Sequence, residues 1–181
     1  MMNKILKLTV VLFLVCAIVA GVLGVVNELT YERIDEQNRL KTAKAYAAVL
    51  ESDSYEEVAF DQAAFPNVDS INKCSNGAGY VVTSTFSGAQ GNITMAVGVD
   101  NSYKCTGISI ISHSETSGLG ANAASTGEVG VNFRAQFVGE DENIALTKAG
   151  GNIDALTGAT ITSRSVTAAT ANSIQAVKAL G

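Results

Sequence analysis

The sequence is poor in the side chains that most enzymes use for chemistry. It has one histidine, three cysteines and one proline, and it has no tryptophan. A lone histidine, His113, and scattered cysteines do not make the ligand set of a zinc site, and no Cys-x-x-Cys pair occurs. No candidate nucleophile has the surroundings of a Ser-His-Asp triad. These shortages argue against a metalloenzyme and against a hydrolase.

Basic residues are also scarce. The 12 lysines and arginines are outnumbered by 17 aspartates and glutamates, so the formal net charge is −5 at pH 7. No basic patch interleaved with aromatic residues appears, and a protein that binds a nucleic-acid duplex needs a positive surface. The composition therefore argues against a nucleic-acid-binding role.

One long apolar run lies near the N-terminus. Residues 8–26 carry no charge, and Thr9 and Cys16 are their only polar members. A helix of about 19 residues is roughly 28 Å long, which is enough to cross the core of a bilayer. We interpret this run as an uncleaved membrane anchor.

Two other interpretations of the run fit less well. A cleaved signal peptide has an apolar region of roughly 7–15 residues that ends in an Ala-x-Ala-like site. The run here is longer, and Ile18-Val19-Ala20 is a poor match to such a site. A lipoprotein signal through Cys16 is disfavoured because the bulky Val15 precedes the cysteine, where a small residue is expected.

The charges on the two sides of the run predict its orientation. Lys4 and Lys7 lie before it, and acidic residues dominate directly after it. The positive-inside rule then places the short N-terminus in the cytoplasm and the remaining chain outside the cell membrane. We predict a cytoplasmic N-terminus and anchor over residues 1–27, a helical stalk and linker over 28–66, and one folded domain over 67–181.

The folded domain is predicted to be built on an antiparallel sheet. Short polar turns separate β-branched segments, which is typical of a meander and not of βαβ units. The predicted strands cover residues 79–86, 93–99 and 105–112, with a further one over 144–146. Residues 55–64 are predicted as a short helix or an irregular piece, and residues 132–138 as a short helix or strand. The expected fold class is α+β, with a mainly antiparallel sheet flanked by helices on a single N-terminal transmembrane helix.

Residues 154–160 read Asp-Ala-Leu-Thr-Gly-Ala-Thr and precede an apolar pattern with helical spacing. Either Thr162 or Ser163 is predicted as the N-cap of that helix. Thr160 then lies just ahead of a helix N-terminus, where free N–H groups and the helix dipole favour a phosphate. On the residues alone, a turn followed by an N-cap explains the same pattern.

A second motif, His-Ser-Glu-Thr-Ser-Gly-Leu-Gly, occupies residues 113–120. Together the two motifs resemble the membrane FMN-binding domain family, and most of all its branch of Rnf-type G subunits. The C subunits of sodium-pumping NADH:quinone reductases are a related branch. Residues 154–160 match the flavinylation pattern of the family, and residues 113–120 match the loop that lies against the flavin ring. Ser117 departs from the family pattern, which has proline there and so a fixed φ.

The resemblance implies that the chain carries FMN covalently. The phosphate of FMN would be esterified to Thr160, within a signature completed by Asp154, Thr157, Gly158 and Ala159. Thr162 and Ser163 follow the attachment residue and are assigned to the same site.

The resemblance also assigns roles in the loop of residues 113–120. Glu115 would accept hydrogen bonds from loop N–H groups or from a flavin N–H, and Thr116 would donate to ring atoms. Leu119 would pack on the ring face, and Gly118 would permit close approach of the backbone. His113 would shape the loop or border the flavin edge without moving a proton.

The function implied by the resemblance is that of an electron-relay subunit in an ion-translocating membrane oxidoreductase of the ferredoxin:NAD type. The flavin supplies the redox chemistry, so the chain needs no catalytic residue and is not an enzyme alone. The implied partners are multi-spanning flavin and iron–sulfur subunits, and an FAD-dependent flavin transferase for maturation. Two alternatives are a non-redox anchor or assembly subunit, and a soluble extracytoplasmic flavoprotein that serves another reductase.

Two cysteines, Cys74 and Cys105, fall in the predicted domain. The sequence allows them to form a disulfide or to remain as two buried thiols.

Overall fold

A single helix, α1 (Met2–Val49), contains the predicted anchor. The structure is a computed structural model that describes the backbone of residues 2–181 and the side chains of residues 4–181. By length and composition, α1 is long and apolar enough to cross a membrane, and its apolar side chains over residues 5–26 are exposed. The chain divides into two compact units, Met1–Lys41 and Thr42–Gly181.

Five antiparallel strands form one sheet in the second unit. They are β1 (Tyr55–Val58), β2 (Val68–Cys74), β3 (Gly79–Ser87), β4 (Asn92–Asp100) and β5 (Cys105–His113), in that spatial order. The three strands predicted from the β-branched segments are β3 to β5, and the α+β fold class is confirmed.

The first two strands differ from the sequence prediction. Residues 55–58 form strand β1, which pairs with β2. The prediction of a short helix or an irregular piece over residues 55–64 is therefore wrong for these four residues. Strand β2 had no predicted counterpart. Its sequence, Val-Asp-Ser-Ile-Asn-Lys-Cys, has no strict polar and apolar alternation, and its register shifts between Val68 and Ser70. The second unit therefore includes residues that the sequence assigned to the stalk and linker.

Two further helices complete the fold. Helix α2 (Glu128–Ala135) overlaps residues 132–138, which were predicted as a short helix or strand. The helix begins and ends earlier than that prediction. Helix α3 (Thr160–Lys178) closes the chain. The strand predicted over residues 144–146 is reduced to one isolated bridge between Leu146 and Ile153.

The sheet has a helix on each face. Successive residues of a strand point to opposite faces, so Val82 and Val97 pack in the core with α3, while Val81 and Ala96 pack with the end of α1. The final turns of α1 belong to the same compact unit as the sheet, and the Tyr46 hydroxyl lies 2.7 Å from Thr83 Oγ1.

The end of α1 approaches the backbone of the sheet closely. Thr106 Oγ1 donates a hydrogen bond of 2.6 Å to the carbonyl of Val49. Gly98 and Gly107 face each other across β4 and β5, and a Cβ at Gly98 would lie 2.7 Å from that same carbonyl oxygen. The lack of a side chain at Gly98 therefore permits the helix end to lie directly on the strands.

The two cysteines of the folded unit are free thiols and both are buried. Burial raises the pKa of the Cys105 thiol to about 12 and also raises the pKa of Cys74. The alternative of two buried thiols is therefore the one that the structure shows.

Candidate functional site

The motif of residues 154–160 ends in the first turn of α3. The helix begins at Thr160, and Ala159 holds the N-cap position with φ −130° and ψ 44°. The prediction of Thr162 or Ser163 as N-cap is wrong, because both are buried inside the first helical turn. Ser163 Oγ instead accepts a hydrogen bond from the Leu156 N–H at 2.9 Å and donates to the carbonyl of Ala159 at 3.0 Å. This pair of bonds folds the motif back onto the helix.

Thr160 is consequently the first residue of α3 and not the residue before it. The Ser163 N–H donates to the carbonyl of Ala159 at 3.0 Å, which is the first backbone hydrogen bond of the helix. The N–H groups of residues 160–162 precede that bond and have no acceptor within the helix. An anion at Thr160 would meet these groups and the positive end of the helix dipole.

The turn before Thr160 is held at Asp154 by hydrogen bonds and depends on glycine at its other end. The Asp154 N–H donates to Gln136 Oε1 at 2.7 Å, and Gln136 Nε2 donates back to the Asp154 carbonyl at 3.3 Å. Gly158 adopts a φ of +73°, and a Cβ at this position would lie 3.0 Å from Leu119 Cδ2. Glycine at position 158 therefore permits the left-handed backbone conformation, and it also permits the close approach of the loop that contains Leu119.

Three clefts meet at Thr160. The first, of about 330 Å³, is lined by residues 89–90, 115–116, 119–120 and 158–162. The second, of about 300 Å³, is lined by residues 144–146, 148–149 and 167–168 together with Arg164 and Thr160. The third, of about 400 Å³, is lined by residues 147–148 and 154–158 and again by Thr160. Thr160 is the residue that the linings of all three clefts share.

Glu115 joins the walls of the first cleft. Its side chain is buried, and Oε1 accepts hydrogen bonds from the N–H groups of Ala89 at 2.8 Å and Gln90 at 3.0 Å. Oε2 accepts a short hydrogen bond from the hydroxyl of Thr162. One carboxylate thus connects the turn between β3 and β4, the loop after β5 and the start of α3.

These hydrogen bonds also set the charge of Glu115. Burial raises the pKa of the carboxyl, but the hydrogen bonds from Thr162, Gln90 and Ala89 favour the ionised form and outweigh burial, so the pKa is lowered. The sequence interpretation offered loop N–H groups or a flavin N–H as partners. In the structure the N–H donors belong to a different turn, at residues 89–90, and the alternative of a flavin N–H stays a prediction.

The loop after β5 contains a β-turn at residues 116–119. The Leu119 N–H donates to the carbonyl of Thr116 at 3.2 Å, and Gly118 has a φ of +78°, as the third residue of a type II turn requires. Ser117 is the second residue, where proline is favoured. His113 Nδ1 accepts the N–H of Glu115 at 3.2 Å, so it shapes the loop.

The structure brings most of the predicted site residues to Thr160. The first cleft contains Glu115, Thr116, Leu119, Gly158, Ala159 and Thr162, and the third contains Asp154 and Thr157. Leu119 is 43% exposed, so its side chain is available for packing. Gly118 and Ser163 do not line any of the three clefts. Gly118 lies in the β-turn of residues 116–119, and Ser163 forms hydrogen bonds with the backbone of Leu156 and Ala159.

Several residues that line the clefts around Thr160 were not predicted from the sequence, and four of them carry a polar side chain or a backbone N–H that the site uses. Ala89 and Gln90 line the first cleft, and Lys148 and Arg164 line the second. Arg164 was open to prediction, because it lies four residues after Thr160 and shares its helix face. The other three come from distant turns, and no local signal marks them.

Comparison with known proteins identifies relatives over nearly the full length of the chain. The FMN-binding domain family matches residues 88–175, and the family of RnfG N-terminal regions matches residues 1–49. The first match includes every residue that lines the three clefts.

Two relatives share about a third of their residues with this chain. The G subunit of the ion-translocating oxidoreductase complex of Methanosarcina acetivorans is 31% identical, over 98% of this chain and 96% of that protein. The G subunit of the Na⁺-translocating ferredoxin:NAD⁺ oxidoreductase complex of Acetobacterium woodii is 34% identical, over 93% and 89%.

A solved structure shares the fold. The C subunit of the Na⁺-translocating NADH-quinone reductase of Parabacteroides distasonis superposes with a TM-score of 0.51 at 17% identity, covering 80% of this chain and 92% of that one.

Proposed function

Because the chain belongs to the family of ion-translocating oxidoreductase G subunits with an FMN-binding domain, we propose that it carries its FMN as a phosphoester on Thr160. The chain is an FMN-dependent electron-relay subunit of a membrane oxidoreductase of the Rnf type, and the other subunits of that complex are its partners. It is a single-pass membrane subunit, with α1 as its membrane helix.

The meeting of three clefts at one hydroxyl-bearing residue is the observation that supports the proposal for Thr160. The residues fit the group, because the free N–H groups of residues 160–162 can donate to a phosphate and Gly158 keeps the turn clear of a Cβ. The first cleft also offers a polar wall at Thr116 and an exposed apolar side chain at Leu119 for the ring.

The protein residues have separate tasks in this proposal. Thr160 Oγ would hold the phosphate, Leu119 would pack on the ring, and the Thr116 hydroxyl would donate to a ring acceptor. Glu115 joins the turn between β3 and β4, the loop after β5 and the start of α3. It does not act as an acid or base in this proposal, because its oxygens already accept hydrogen bonds from the protein. When bound, the flavin supplies one- and two-electron redox chemistry, and the protein positions it.

For maturation we propose an FAD-dependent flavin transferase. The hydroxyl oxygen of Thr160 forms a bond to the phosphorus of the FMN half of FAD. The phosphoanhydride bond to the AMP half breaks, AMP leaves, and the hydroxyl proton leaves with it. No oxidant or reductant is required for this exchange.

We also propose that the folded unit lies outside the cytoplasm. Lys4 and Lys7 precede the apolar run and acidic residues follow it, which favours a cytoplasmic N-terminus by the positive-inside rule. Covalent attachment suits this location, since a freely bound flavin lost there would not be replaced.

Mass spectrometry of the intact protein tests the attachment. The wild-type chain should carry the mass of FMN less one water, and peptide mapping should find it on Thr160. Thr160→Val should remove the increment, because the isosteric side chain has no hydroxyl. Thr160→Ser is the matched control and should retain it. An increment that persists in Thr160→Val, or that maps to Thr157, would refute the proposed site.

A further inference from the structure

We propose that Lys148 and Arg164 form a cation pair that binds the phosphate of the flavin ester at Thr160. The inference rests on the proposed attachment of FMN to this threonine. It assigns a binding role to two residues outside both sequence motifs.

The position of Arg164 follows from helix geometry. Thr160 and Arg164 are four residues apart on α3, so their Cβ atoms lie about 5–6 Å apart on one face. Long side chains on a helix lean toward its N-terminus, which directs the guanidinium back over Thr160. Both residues line the second cleft, in agreement with this direction.

Lys148 approaches Thr160 from another segment. Lys148 and Thr160 are the two residues common to the second and third clefts. The lysine lies in a short 3₁₀ turn, Thr147–Ala149, that ends at Gly150 in a left-handed conformation with φ +86°. The Ala149 N–H donates to the carbonyl of Leu146 at 2.8 Å, and Leu146 bridges to Ile153. The backbone at Lys148 is therefore fixed beside the flavinylation turn.

Both cations are available for a ligand. Lys104 and Lys178 form ion pairs with Asp141 and Glu142. Arg134 donates to two backbone carbonyls instead. Within the side chains of residues 4–181, neither Lys148 nor Arg164 has a carboxylate or carbonyl partner.

The surroundings favour binding of an anion by this pair. Four of the nine residues that line the second cleft are apolar members of the segment 144–149, and both cations are exposed at its edge. An interaction between charges near a protein surface is stronger than the same interaction in bulk water. A phosphodiester carries one negative charge. The Asp154 carboxylate lines the third cleft and would repel that charge, and Lys148 in the same cleft offsets the repulsion.

The test uses the full-length flavinylated protein and three variants, Lys148→Met, Arg164→Met and the double substitution. Lys73→Met is the matched control, because Lys73 is an exposed lysine on β2 that lines none of the three clefts. The first measurement is the ³¹P NMR resonance of the ester. The second is the initial rate of flavin attachment with FAD and a purified flavin transferase, followed by mass spectrometry.

We expect the ³¹P resonance to move in each cleft variant, to move furthest in the double variant, and to stay unchanged in Lys73→Met. Lys148→Arg should restore most of the wild-type resonance. Each single substitution should slow attachment by about tenfold, the size expected for loss of one charge-assisted hydrogen bond.

Wild-type ³¹P resonances in all the variants would overturn the inference, even if attachment slows, since the cations would then serve contact with the transferase. The outcome for Thr160 is read separately from the same samples. Flavin that maps to another residue refutes the proposed attachment, whereas flavin on Thr160 with unchanged resonances refutes the cation pair alone.

Discussion

Glu115 offers the most decisive test of how the site is built, through the substitution Glu115→Ala. The change removes the acceptor of three hydrogen bonds that join three segments of the chain. Ala89 and Gln90 are exposed residues, so water can replace the lost acceptor at their N–H groups. Thr162 is only 1% exposed, and its hydroxyl would lose its partner inside the protein.

The size of the loss follows from these environments. A buried donor without a partner costs about 1–3 kcal/mol, and hydrogen bonds to charged groups contribute about 1.5–3 kcal/mol each. Allowing for water at the two exposed amides, we expect Glu115→Ala to reduce the free energy of unfolding by about 2–4 kcal/mol at pH 7. Glu115→Gln keeps the size of the side chain and one oxygen acceptor, and should cost about half as much.

The loss should depend on pH in a defined direction. The folded protein lowers the pKa of Glu115 below its ordinary value of 4.5. The carboxylate therefore stabilises the fold fully above pH 4.5, and this contribution is lost as the pH falls through the folded pKa. The difference between wild type and Glu115→Ala should shrink as the pH decreases below 4.5.

Equilibrium urea unfolding of the full chain in detergent, followed by tyrosine fluorescence, measures these quantities at each pH. Glu56→Ala is the control, because Glu56 is an exposed carboxylate on β1. If Glu115→Ala unfolds at the urea midpoint of the control, the carboxylate does not join the walls of the cleft. A difference that stays constant at low pH would show that the stabilising form is not the ionised one.

Three further predictions concern the loop and the membrane orientation. Leu119→Ala should shift the flavin potential or visible spectrum while FMN stays attached, and a shift of about 30 mV in a two-electron couple corresponds to about 1.4 kcal/mol. An unchanged potential and spectrum in redox titration would exclude ring packing by this side chain. Ser117→Pro should raise the free energy of unfolding by about 0.4–1 kcal/mol, since proline suits the second position of the turn; destabilisation in urea titrations would show that the loop adopts another geometry. On intact cells, a membrane-impermeant amine reagent should label exposed Lys73, and labelling only after lysis would reverse the proposed orientation. A thiol reagent is unsuitable because Cys74 and Cys105 are buried.

Several features of this protein were predictable because they depend on local pattern. The membrane helix follows from apolar length compared with the thickness of a bilayer. Strands β3 to β5 follow from β-branched segments between polar turns, and their antiparallel order follows from the shortness of those turns. The two motifs were recognisable because each is contiguous in the chain, and the comparisons confirm the FMN-binding family that they indicated.

Other features depend on partners that the local sequence does not reveal. Strand β2 is a polar segment that forms a strand because it pairs with β1 and β3. The start of α3 was misplaced because the segment from Thr160 to Ser163 offers several hydroxyl side chains that are suitable N-caps. In the structure the Ser163 hydroxyl accepts the Leu156 N–H instead of capping the helix, which begins at Thr160.

The site shows the same division between local and tertiary information. The sequence by itself determined the position of Thr160 in a motif that resembles a flavinylation site, and it predicted Glu115 as a hydrogen-bond acceptor within a loop. Only the tertiary structure decided that Glu115 binds Thr162, 47 residues away, and that Lys148 borders two of the clefts at Thr160. The physical reason is range: helix spacing, strand alternation and turn chemistry act over a few residues. A buried carboxylate or a cleft instead takes its partners from wherever packing of the sheet and helices places them.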